Sequence, residues 1–306
     1  MSSSTELDNS TYYVPEQGWY PVFLAFGLML LVTGLAGFLN DIKNGSAGGW
    51  TQSIIGFLVV SFVLYSWFSK VVEENAAGMN NATLKKSYVW GMGWFIFSEV
   101  MFFAAFFGAL FYVRALVVPW LGGEGDKGII GDYLWPAFES TWPVVANPNA
   151  ELFINPGESM ASPGVTNWGA YLPFYNTVIL LTSSVTIHFA HDAIKAENRK
   201  KLIGWLAVTV VLGIIFLILQ VEEYIHAYAV LGLTLDSGIY GSTFFLLTGF
   251  HGFHVTMGTF IIFVQLIRAI KGHFTANDCF GFESASWYWH FVDVVWVGLF
   301  IFVYVL

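Results

Sequence analysis

Gly281-Phe282-Glu283-Ser284-Ala285-Ser286-Trp287-Tyr288-Trp289-His290-Phe291-Val292-Asp293-Val294-Val295-Trp296 is the stretch whose reading decides the fold. It opens with glycine and closes on tryptophan, and its middle is aromatic and aliphatic on every side. A helix that is apolar all round is either buried in a large core or crosses a membrane. His290 and Asp293 sit three residues apart within it, on one helix face. Ionisable groups in such surroundings need a partner.

The rest of the chain decides for the membrane. Of its 306 residues, 56% are hydrophobic, 19% aromatic and only 11% charged, with a mean hydropathy of +0.64. That composition belongs to a polytopic membrane protein. A span needs about 20 mostly apolar residues, and seven segments qualify: 19–38, 51–69, 88–116, 169–190, 202–226, 240–267 and 286–306. Residues 1–18 form a polar arm without the basic start of a cleavable signal peptide. An isoelectric point near 5.1 lacks the basic footprint of a nucleic-acid binder.

Charge sets the orientation. Lys70, Lys85, Lys86, Lys195, Arg199, Lys200, Lys201, Arg268 and Lys271 fall on one side, whereas Lys43, Arg114 and Lys127 fall on the other. Cytoplasmic loops collect Lys and Arg, so the N-terminus is expected in the cytoplasm and the C-terminus in the periplasm. The expected organisation is a hairpin at 19–69, a charged inner linker at 70–87 and a five-helix bundle at 88–306. The bundle carries a long outer loop, 117–168, rich in Pro, Trp and Tyr. Gly249 and Gly252, with Thr248 and Thr256, are expected to allow close helix approach in the sixth span.

Metal and catalytic motifs are weak. Glu223-Tyr224-Ile225-His226 has the Glu-x-x-His spacing of di-iron bundles but occurs once. Haem ligation needs histidines at matched depth, and only His254 is mid-span. Cys279 is the single cysteine, too few thiolates for a binuclear copper site, and it reads as an incidental residue at a helix boundary. No nucleophile elbow is present. Glu99 is the notable intramembrane charge: Phe95 and Phe103 flank it one turn away, and nothing on its own helix neutralises it. Such a group is a functional-site candidate. His290 and Asp293 read as a structural polar pair.

Five motifs together carry a resemblance: Trp90-Gly91-Met92-Gly93 with Phe97-Ser98-Glu99-Val100-Met101-Phe102-Phe103; Gln220-x-x-Glu223-Tyr224; Gly238-Ile239-Tyr240-Gly241-Ser242-Thr243-Phe244-Phe245; Thr248-Gly249-Phe250-His251-Gly252-Phe253-His254-Val255; and the opening stretch. The chain resembles subunit III of the aa3-type cytochrome c oxidases, and Tyr12-Tyr13-Val14-Pro15 is bacterial in style. The resemblance implies an all-α subunit of seven transmembrane helices, split into a two-helix and a five-helix bundle with a V-shaped, lipid-holding cleft. It implies no metal in this chain, bound phospholipid, and haem a, haem a3 and copper in partner subunits. The partners implied are subunit I, as main contact, subunit II, and cytochrome c as donor to the complex. The complex reduces O2 to water and pumps protons. Suggested roles for this subunit are stabilising subunit I, O2 access and support of proton uptake. Glu99 matches the family's buried carboxylate, while Trp67, Glu73, His254, Arg268 and His273 match positions near lipid headgroups. The pattern departs at His191-Asp192, where a His-His pair is common, at Asn80, and in the length of the loop 117–168. Two alternatives remain at this stage: subunit III of a quinol oxidase, and a stand-alone proton channel or transporter using Glu99.

Overall fold

The computed structural model describes Val14, residues 17–43 and residues 50–306. Most of the N-terminal arm, and the loop holding Gly45, Gly48 and Gly49, lie outside the described residues. In chain order the helices are α1 (Tyr20–Lys43), α2 (Trp50–Ala76), α3 (Ala82–Tyr112), α4 (Val118–Leu121), α5 (Ile129–Leu134), α6 (Leu172–Lys195), α7 (Arg199–Ala229), α8 (Gly238–Lys271) and α9 (Phe280–Leu299). Seven helical segments are long and apolar enough to cross a membrane: α1, α2, α3 with its continuation through α4 to Leu121, α6, α7, α8 and α9 with its continuation to Val305.

Two departures from the expected boundaries have simple causes. The polar segment 70–87 is mostly helix: α2 continues to Ala76 and α3 begins at Ala82. Charged residues do not end a helix, since Lys and Glu are good helix formers, and only Gly78 in the positive-φ region forces the turn. The third span also outlasts its expected end. A wide turn at Val113–Val117 passes the chain into α4, with the Val118 N–H donating to the carbonyl of Val113. Pro119 follows at once. Proline brings no N–H and crowds the preceding turn, so a widened turn is the adjustment that keeps the helix going.

The chain divides into two compact units, Met1–Trp90 and Gly91–Leu306. In the first, α1 packs along α2. Gly56 lies directly against the backbone of Leu31, and Gly34 against that of Ser53, so a side chain at either place would push the helices apart. Tyr20 and Trp67 stack with ring centres 5.8 Å apart. Many large apolar side chains on this hairpin point outward, among them Val22, Phe26, Phe57 and Phe62. In water that would be an aggregation liability; in a bilayer it is the lipid face.

In the second unit, α6 packs on α7, α7 on α8, α8 on α9, and α9 back on α6. The opening stretch lies at its centre: Phe282, Trp289, Val292 and Trp296 are fully buried. Lipid tails are as apolar as these side chains, so packing and interhelical hydrogen bonds hold the bundle. Three such bonds link α6 to α9. Trp296 Nε1 donates to Thr177 Oγ1 at 3.0 Å, Trp289 Nε1 donates to Ser183 Oγ at 2.9 Å, and His290 Nδ1 lies 2.7 Å from Ser184 Oγ. Numbers fall along α6 as they rise along α9, so the two run antiparallel. Tyr224 and Thr248 join α7 to α8 at 2.7 Å, and His251 Nε2 donates to the carbonyl of Val292 at 3.2 Å.

Close approach in α8 falls at Gly249, where a Cβ would stand 3.3 Å from Tyr224 Oη, and further along at Gly258, but not at Gly252. A Cβ at Gly252 would meet nothing, whereas one at Gly258 would stand 2.8 Å from the Trp289 ring. The tighter approach is the one facing the buried indole.

The outer loop is organised. Ser162 N donates to Tyr304 O at 2.7 Å, Met160 N to Tyr240 Oη at 2.9 Å, and Tyr171 Oη to Met160 O at 2.8 Å. Val144 and Met160 are buried beneath it. Ile129, Ile130 and Tyr133 on α5 instead point away, 78%, 67% and 85% exposed.

Candidate functional site

Glu99 finds its partner on another helix. Its Oε2 lies 2.9 Å from His254 Nε2, across α3 and α8. Glu99 is close to the centre of Ala82–Leu121, and His254 is at the middle of Gly238–Lys271. Both therefore lie deep in their spans. His254 is the partner of the carboxylate, at the middle of its helix.

The other ring nitrogen fixes the tautomer. His254 Nδ1 lies 2.7 Å from the carbonyl of Phe250, one turn earlier. A carbonyl only accepts, so Nδ1 carries a hydrogen. If the ring is neutral, Nε2 is an acceptor and Glu99 donates as a carboxylic acid. If the ring is cationic, Nε2–H donates to a carboxylate. One proton lies between the two groups in both cases, and the pair sums to zero charge. Aromatic rings surround it: Phe103 at 5.0 Å, Phe253 at 5.8 Å, Phe102 at 6.0 Å, and Tyr288 and Phe291 at 6.3 Å from the imidazole. The His254 side chain is 8% exposed and that of Glu99 is 24% exposed, so the carboxyl side is the accessible one in this chain.

His290 and Asp293 are close but not hydrogen-bonded: Nδ1 to Oδ2 is 3.6 Å, beyond hydrogen-bond range. Ser184 takes the His290 ring nitrogen instead. Asp293 is buried, and neither carboxylate oxygen has a hydrogen-bond partner among the described residues. The two side chains do lie together, and Ser184 on α6 joins His290; spacing along one helix cannot reveal a serine 106 residues away.

The remaining candidates lie toward helix ends. Arg268, three residues before the end of α8, donates to Gln265 Oε1 at 3.1 Å and sits 4.8 Å over the Phe274 ring. Gly281 makes room for the guanidinium, since a Cβ there would collide with it. His273 follows α8, its N–H donating to the carbonyl of Arg268 at 3.1 Å. Its pKa is held below the ordinary 6.5 by partial burial and by the positive charges of Arg268 and Lys271. Trp67 stacks on Tyr20 in the hairpin, and Glu73 is exposed in the last turn of α2.

One polar cluster escaped the sequence reading. Glu223 is buried in α7, and its Oε1 accepts from Tyr304 Oη at 2.6 Å while Oε2 and both amide atoms of Gln220 have no partner. The Gln220-x-x-Glu223 spacing, one turn apart, was the available signal; that Tyr304 would cover it was not. No second Glu-x-x-His element stands opposite it among the described residues, so the di-iron comparison stops there.

Seven helices long and apolar enough to cross a membrane, two of which carry an acid–base pair near their midpoints, define an all-helical, multi-pass membrane subunit. A family model described as cytochrome c oxidase subunit III matches residues 10–124 and 153–306. Curated relatives agree: "Cytochrome c oxidase subunit 3" of Dugong dugon is 39% identical over 294 residues and that of Oryctolagus cuniculus 35% over 294, each match covering 96% of both chains. A "Probable cytochrome c oxidase subunit 3" of Rickettsia conorii is 35% identical over 315 residues, covering 100% of this chain and 99% of its own. The chain belongs to the cytochrome c oxidase subunit III family. It is thus an accessory subunit of a multi-subunit respiratory oxidoreductase, bacterial-like in its full-length relative. The stretch that the family match skips, 125–152, is the interior of the outer loop.

Proposed function

We propose that this subunit does no redox chemistry itself and sustains the activity of a neighbouring catalytic subunit I. The oxidase reduces O2 to water with electrons from cytochrome c and pumps protons. Haem a, haem a3 and copper reside in the partners. This chain holds phospholipid and supports O2 access and proton uptake. The charge bias supports a cytoplasmic N-terminus and a periplasmic C-terminus in a bacterial inner membrane. Arg268 near the end of α8 and Glu73 in the last turn of α2 each suit a headgroup level, and Trp67 lies further inside α2.

The observation that carries this reading is the Glu99–His254 contact. It shares one proton within an aromatic surround and sums to zero charge, which suits ordering helices and lipid rather than relaying charge. Glu99→Gln in the assembled oxidase tests it. The amide still donates to Nε2 of a neutral His254, so the helices stay joined. Initial O2 consumption should match wild type, while retained phospholipid and the lifetime of activity during sustained turnover should fall. Immediate loss of O2 reduction in an intact, haem-replete complex would instead make Glu99 part of the proton path.

A further inference from the structure

Away from the mid-membrane pair, three different ligand types converge where α6 ends and α9 begins. His191 comes from the penultimate turn of α6, Cys279 immediately precedes α9, and Glu283 lies in the first turn of α9. One ligand atom from each lies within 4.8 Å of the other two. Their side chains meet across 88 residues of sequence, so this is a tertiary arrangement rather than a local cluster. We propose that His191, Cys279 and Glu283 form a reversible binding site for one divalent cation of the zinc class, additional to the cofactors of the partner subunits.

The separations fit that ion. Bond lengths of about 2.3 Å to sulfur, about 2.05 Å to imidazole nitrogen and about 2.1 Å to carboxylate oxygen, at tetrahedral angles, place N and O about 3.4 Å apart and S and O about 3.6 Å apart. His191 Nε2 lies 3.4 Å from Glu283 Oε1, and Cys279 Sγ lies 3.6 Å from the same oxygen. Two edges of the tetrahedron are already in place. The third, sulfur to nitrogen, is within 4.8 Å, against about 3.5 Å in the ideal tetrahedron.

The surroundings favour a ligand role. His191 Nε2 is shielded from solvent and has no hydrogen-bond partner among the described residues. Its ring packs on Phe282, 5.7 Å away, which limits its rotation. Cys279 is buried and free, and the paired turn Thr275–Asp278 holds the backbone just before it. Burial and the Glu283 carboxylate push the Cys279 thiol up to about 11, so the thiol keeps its proton until an ion displaces it. A thiolate, an imidazole and one carboxylate suit zinc; calcium and magnesium take oxygen ligands. The bound ion displaces the thiol proton to solvent, leaves the fourth position to water, and ties α6 to α9.

The experiment uses the intact detergent-solubilised oxidase, stripped with chelator and titrated with Zn2+ alone. Wild type should bind one more zinc than Cys279→Ser, and X-ray absorption should place one sulfur at about 2.3 Å from that zinc. Glu283→Gln should weaken the same site by more than about 100-fold, beyond the loss that outer-shell changes produce. Zinc should also slow alkylation of Cys279 in the unmutated complex, which serves as the readout if a variant loses the subunit. Equal zinc counts in wild type and Cys279→Ser, zinc without a sulfur neighbour, or an alkylation rate unmoved by zinc would each overturn the proposal. None of these depends on the role of Glu99.

Discussion

His254 presents only one nitrogen to Glu99, because the carbonyl of Phe250 occupies the other. Both members were visible in the sequence as mid-span ionisable groups. Their pairing was not, because 155 residues separate them and side-chain periodicity within a helix says nothing about which helix stands opposite. Cys279 shows the same limit: as a lone residue at a helix boundary it reads as incidental, and only the fold sets His191 within 4.8 Å of it. His273 allows a direct check of local electrostatics. Its folded pKa is depressed by burial and by neighbouring Arg268 and Lys271, so its neutral ring is the favoured form. Any stability it contributes is present above the ordinary value of 6.5 and is lost as pH falls through the lower folded value. Diethylpyrocarbonate, which acylates neutral imidazole, should therefore keep modifying His273 below pH 6.5, with its rate inflecting on the acid side of that value. An inflection at or above the ordinary value would contradict the description.

At the scale of elements, the seven spans follow from hydropathy and length alone, and their ends do not. Helix α2 ran through Lys70, Glu73 and Glu74 because those residues favour helix, and the third span passed Pro119 by widening a turn. Contacts between spans were legible in kind but only partly in position. The expectation of small residues in the sixth span was sound, yet Gly252 faces open space and Gly258 faces Trp289. Which glycine receives an indole depends on helix rotation, and an all-round apolar helix carries no moment to announce its rotation. Gly258→Ala should destabilise the subunit by about 1–3 kcal/mol, the usual penalty of overpacking, whereas Gly252→Ala should be near neutral. Thermal unfolding of the two variants in the same detergent would check the contrast. The Trp289 and Trp296 bonds to Ser183 and Thr177 should each contribute about 0.6 kcal/mol, as interhelical bonds in membranes average.

Among the described residues, the outer loop is the longest connection between spans. That loop is pinned to α8 and to the end of α9, yet Ile129, Ile130 and Tyr133 turn outward from a segment the family match omits. We propose that this face meets subunit II or the electron donor. Replacing all three with serine should leave the subunit folded and lower the recovery of subunit II or the rate with cytochrome c; unchanged assembly and kinetics would make the loop a solvated cap. The family was legible from five motifs and the seven spans from hydropathy, whereas no motif covers this loop. The acid–base pair also has an electrical consequence at the scale of the bilayer. A proton crossing the 2.9 Å gap between Glu99 and His254 travels at most about a tenth of a hydrocarbon core roughly 30 Å thick. A full elementary charge gains about 2.3 kcal/mol per 100 mV, so this transfer gains about 0.2 kcal/mol, less than thermal energy. The respiratory membrane potential that the complex builds therefore leaves the pair unswitched: it is a joint that voltage does not work.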